Sequence, residues 1–122
     1  MNSLLLDEAV KAPEQRLGQE PVFPTGVITM YAITFDLDTA QLQQEYPGPS
    51  WQNAYGDIKK VLLPLGFIWQ QGSVYFGGQE LNAVKCVLAA QRLSETYPWF
   101  KTCIRDIRML RIEELNDLSP AL

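Results

Sequence analysis

Histidine is absent from this 122-residue chain. Its absence excludes a Ser-His-Asp triad, a histidine acid–base pair and a zinc site with histidine ligands. Cysteine is nearly absent. Cys86 and Cys103 are too few for an all-thiolate metal site, and with no secretion signal they read as reduced thiols in a cytoplasmic protein. No apolar run approaches the ~20 residues that a membrane helix requires. The opening Met-Asn-Ser-Leu-Leu-Leu is too short, and lacks the basic flank, for a signal peptide. Positive charge is also scarce, with a formal net charge of -4 and a pI near 4.7. Binding nucleic acid through overall charge is therefore excluded. A local basic stripe survives that argument: Lys101, Arg105, Arg108 and Arg111 place four of the ten basic residues close together.

What is present is the balance of one soluble globular domain, with 47% apolar and 20% charged residues. The texture changes at about Met30. Residues 1–29 carry Pro13, Pro21, Pro24, Gly18 and Gly26 around a short amphipathic patch at residues 4–10, and read as a loosely ordered extension. Residues 30–122 form the domain proper. No internal repeat or low-complexity tract is visible.

Residues 27–37 are rich in β-branched and aromatic side chains and read as a strand. Its alternation puts Tyr31, Ile33, Phe35 and Leu37 on one face and Met30, Ala32, Thr34 and Asp36 on the other. After the turn cluster at residues 46–49, Ser50 offers an N-cap to a helix carrying Ala54, Ile58, Val61, Leu62 and Leu65, closed by Pro64 and Gly66. Residues 67–69 and 73–76 read as short strands. Residues 81–97 read as a second helix, with Leu81, Val84, Leu88 and Gln91 flanked by Val87, Ala90 and Leu93 on its inward side. Pro98 stops it, and residues 102–112 form the last strand, leaving a tail that reads as a turn or short cap.

The order predicts an α+β fold of the ferredoxin-like βαββαβ kind: a four-stranded antiparallel sheet with two helices on one face. Neither side of the last strand is cleanly polar, so the open sheet face calls for a second cover. A two-fold partner supplies it most simply, and a homodimer is expected.

Several separated motifs carry a resemblance. They are Met30-Tyr31-Ala32-Ile33, Phe35-Asp36-Leu37, Gly66-Phe67 with Trp69, Gln71-Gly72-Ser73-Val74-Tyr75, Trp99-Phe100 and Arg105-Asp106-Ile107-Arg108. In this order and spacing, from Met30 to about Leu118, the chain resembles the virulence-associated protein D (VapD) family. That family is similar in turn to the small CRISPR-adaptation nucleases. The resemblance implies a dimeric ferredoxin-like fold and endoribonuclease activity on single-stranded RNA, in some members as the toxin of a toxin–antitoxin pair. It also implies a small antitoxin protein as a partner and no membrane. The family's first residue usually corresponds to Met30, which makes the preceding residues either an upstream start or a real extension.

With histidine gone, carboxylates and arginines are left to do the chemistry. Asp36, ending a core strand where the sheet meets solvent, is a candidate general base or Mg2+ ligand. Asp38 follows two residues later as a possible second ligand. Ser73, beside the permissive Gly72, can orient a phosphate, and no neighbouring base in sequence makes it a covalent nucleophile. Asp106 is a catalytic candidate or an orienting partner for arginine. Arg105 and Arg108 suit phosphate, because a planar guanidinium donates two parallel hydrogen bonds and stays charged. Strict alternation puts Arg105 on the opposite face from Asp106 and Arg108. Tyr75 is a candidate for stacking an RNA base. The alternative reading is a non-catalytic dimeric binding or scaffold module.

Overall fold

The computed structural model describes residues 26–122. Almost all of the expected extension, residues 1–25, lies outside the described residues; its last residues belong to the first strand. The elements in chain order are β1 (Gly26–Leu37), α1 (Thr39–Glu45), α2 (Asn53–Leu62), β2 (Phe67–Gln71), β3 (Val74–Gly77), α3 (Ala83–Thr96), α4 (Pro98–Cys103) and β4 (Ile104–Leu115). Single 3-10 turns follow α2 and close the chain. The strands form one antiparallel sheet in the order β2-β3-β1-β4. Each helical pair therefore joins strands with one other strand between them.

The core lies between one pleat of this sheet and the helices. Ile33, Phe35 and Leu37 of β1, Phe67 and Tyr75 pack against Leu42, Ile58, Leu62, Leu93 and Phe100. Each such large apolar side chain, fully buried, contributes roughly 1.5–3 kcal/mol. In α2 the buried residues Ala54, Ile58 and Leu62 recur every four positions and form one stripe. The helix ends through Pro64 and Gly66, whose φ of 105° is left-handed and whose N–H donates to the Leu63 carbonyl. A Cβ at Gly66 would also stand 2.8 Å from the Leu81 side chain.

Four local expectations are corrected. Ser50 is not the cap of α2, which begins at Asn53 after Gln52; the Ser50 hydroxyl donates to the Gln52 side chain instead. An additional helix, α1, starts directly after β1. Pro98 stops α3 but also opens α4, where its missing N–H costs nothing, so β4 starts at Ile104 and runs on to Leu115. The inward stripe of α3 is Cys86, Ala89 and Leu93, while Val84, Val87 and Leu88 face outward. Cys86 and Ala89 are small, and they let the helix lie close to the sheet. Both cysteines are free and buried.

Candidate active site

The pleat of β1 facing away from the core carries Met30, Ala32, Thr34 and Asp36. Register extends it sideways. Ala32 is level with Phe76 and Leu110, Thr34 with Val74 and Arg108, and Asp36 with Asp106. Ile68 and Gln71 of β2 continue the rows of Phe76 and Val74. The lower part of this face is apolar; the end nearest Asp36 is polar.

Asp36 stands opposite Asp106, an arrangement that is destabilising for two like charges unless cations attend it. Two arginines do. Arg108 Nε lies 3.1 and 3.2 Å from the two oxygens of Asp106. Arg105 reaches Asp36 at 3.6 Å and Asp38 at 3.7 Å. Three carboxylates thus meet two guanidinium groups, leaving one net negative charge. The side chains of Asp36 and Arg105 are 58% and 60% exposed, so both remain reachable by a polynucleotide.

Arg105 joins this group through a β-bulge, and strict alternation misplaces it. Leu37 pairs with Ile104 and Asp36 with Asp106, so Arg105 is the extra residue of β4. A bulge sets two residues against one and re-aims the side chain it adds. Nothing in the run Ile-Arg-Asp-Ile-Arg marks that position.

Asp38 also has a structural role. β1 ends at Leu37, and Asp38 caps α1, its Oδ1 accepting from the Gln41 N–H at 3.1 Å. Ser73 reaches the same end of the sheet, where its carbonyl accepts the Phe35 N–H at 3.2 Å. That places it beside Phe35, on the pleat alternate to Asp36. Tyr75 is 1% exposed, stacked with Phe35 at a centroid distance of 6.2 Å, and burial pushes its hydroxyl pKa up. The alternation that puts Asp36 outward puts Tyr75 in the core, so it is no stacking platform.

The residues fit a resident Mg2+ poorly within one chain. Among the described residues no three acidic or thiol side chains gather to hold a metal, and each carboxylate above already has an arginine partner. Gln71 belongs to this face and was missed by the sequence reading. Gln70-Gln71 reads as part of a turn, yet β2 continues through Gln71.

No protein-family model matches the chain. The chain is 55% identical over 93 residues to Endoribonuclease VapD 2 of Riemerella anatipestifer, covering 76% of this chain and 99% of the relative. It is 52% identical over 93 residues to the Endoribonuclease VapD homolog of Helicobacter pylori, covering 76% and 96% respectively. Endoribonuclease VapD of Haemophilus influenzae is 37% identical over 94 residues, 74% of this chain and 94% of that protein. At these identities over nearly the whole of each relative, the chain belongs to the virulence-associated protein D (VapD) family.

Proposed function

We propose that this protein is an endoribonuclease that cuts single-stranded RNA at the Asp36 end of the sheet. One observation carries the reading: an exposed carboxylate at the end of a central strand, with Arg105 beside it and Arg108 held by the facing Asp106. Asp36 accepts the proton of the attacking hydroxyl or water as its oxygen bonds to phosphorus. Arg105 and Arg108 donate hydrogen bonds to the non-bridging oxygens, on which charge builds. The bond from phosphorus to the 5′ oxygen breaks, and that oxygen takes a proton from water, while Asp106 orients Arg108. Ser73, on the other pleat, is given no step.

The same reading makes the fold ferredoxin-like and the working unit a homodimer. The exposed Leu110, with Ile68 and Ile112 on the same face, suits a second copy, and the polar end would remain as a cleft shared by two Asp36 residues. The place of the protein as a toxin with a small antitoxin rests on the family resemblance, and its cytoplasmic setting on the two reduced cysteines without a secretion signal. Among the described residues no helix is long and apolar enough to cross a membrane.

The test incubates labelled single-stranded RNA with the protein and with Asp36→Ala, each with and without EDTA. Cleavage by the unaltered protein that persists in EDTA and disappears in Asp36→Ala is expected. Cleavage by the variant at the unaltered rate removes Asp36 from the mechanism. Loss of cleavage in EDTA alone moves Asp36 to a metal ligand completed by the second copy. No cleavage under any metal condition favours a non-catalytic scaffold.

A further inference from the structure

A second bulge lies at the same end of the sheet. Trp69 pairs with Tyr75 and Gln71 with Val74, so Gln70 is the extra residue of β2. Without it, Gln71 would pair one position further on and share the pleat of Tyr75. With it, Gln71 stands on the pleat of Asp36. One row across the open face therefore runs Arg108, Thr34, Val74, Gln71, from cation to amide across all four strands.

This row has the polarity of a nucleotide laid on its side. Arg108 sits where the phosphate belongs, beside Asp36. Val74 gives an apolar surface in the middle. Gln71 is exposed at the far edge. From Arg108 on β4 to Gln71 on β2 is three strand spacings, about 14 Å at ~4.8 Å each, a span that one nucleotide bridges once the reach of both long side chains is counted. A glutamine amide offers a donor and an acceptor together, the pair that distinguishes one base edge from another.

The bulge is also braced. The Trp69 indole N–H donates to the Gly72 carbonyl at 3.0 Å, closing the turn behind Gln70-Gln71. Gly72 has a φ of 46°, in the left-handed region this turn requires. Lys59 of α2 lies 3.8 Å above the Trp69 ring and covers it. A polar pair held on a stiff edge is suited to discrimination, because little freedom remains to be lost on binding.

We propose that Gln71, with Gln70 beside it at the β2 bulge, reads the base of the nucleotide attached to the scissile phosphate, and that Trp69 is the positioning residue of this subsite. The inference rests on the endoribonuclease reading and adds the residues that make it base-selective.

The test measures binding, so that it stands apart from cleavage. Fluorescence-labelled RNA oligomers that differ only in one central base are titrated against the Asp36→Asn protein, alone and with Gln71→Ala, Gln71→Glu, Trp69→Phe or Arg108→Ala. Asp36→Asn alone should separate the best and worst bases by roughly five-fold or more. Gln71→Ala should bring all four within about two-fold of one another. Gln71→Glu, which keeps the shape and loses the N–H donor, should reorder them. Trp69→Phe should narrow the spread while the melting temperature holds. Arg108→Ala should weaken every base alike and flatten the salt dependence. Discrimination that survives Gln71→Ala, or binding that never depended on the base, overturns the subsite and leaves the nuclease reading standing. Absence of RNA binding by the intact site sinks both.

Discussion

Replacing Arg105 with alanine should separate recognition of RNA from stability of the fold. Arg105 spans 3.6 Å to Asp36 and 3.7 Å to Asp38, with its own side chain 60% exposed. Exposed pairs at such distances are worth roughly 0–1 kcal/mol, because water screens them and both side chains lose freedom. The melting temperature of Arg105→Ala should therefore fall by no more than about 4–8 °C. Its effect on catalysis is larger. A guanidinium that hydrogen-bonds a phosphate contributes about 1.5–3 kcal/mol, which is roughly a 10- to 150-fold loss in kcat/KM. The repulsion left among Asp36, Asp38 and Asp106 acts in the same direction, since each repels the phosphate. The slope of log affinity against log salt should become shallower by about 0.7 for the one phosphate contact removed from a single strand. Arg105→Lys keeps the charge without the fork and should fall between the two. Steady-state cleavage of a defined RNA, salt titration of binding and thermal melting provide the three readouts. A variant that melts far lower yet keeps kcat/KM and the salt slope would show Arg105 to be a structural pin.

Other expectations follow from neighbouring geometry. Asp38→Ala removes the α1 cap at Gln41 and should cost about 0.5–2 kcal/mol in denaturant unfolding, with a smaller effect on cleavage than Asp36→Ala. Tyr46 donates to Asp57 at 2.6 Å, and that hydrogen bond, helped by burial and the Asp57 charge, pushes its pKa up to about 12. A raised folded pKa contributes stability that is whole below the ordinary tyrosine pKa near 10 and is lost as pH climbs toward 12. Tyr46→Phe should therefore flatten the decline in melting temperature over that window. Cys86 and Cys103 are buried, and burial pushes both thiols up. Ellman's reagent should react slowly with the native protein and rapidly with both thiols in denaturant; fast labelling of the native protein would contradict the packing of α3 and α4 on the sheet.

What the chain carries locally was legible from the start. The two-residue period of β1 is a property of any extended chain, and it set Phe35 and Asp36 on opposite faces. The four-residue period of α2, the stops at Pro64, Gly66 and Pro98, and the alternation of strands and helices were equally readable. The absence of histidine already confined the chemistry to carboxylates and arginines. Tertiary structure decided the rest, because those features depend on registers between strands far apart in sequence. The bulges at Arg105 and Gln70 exist only relative to β1 and β3, and each changes which face a side chain serves. In the same way α3 presents two apolar stripes, and only the closeness of the sheet selects the smaller one. Tyr75 reads as a stacking residue until the register of β3 sets it in the core beside Phe35.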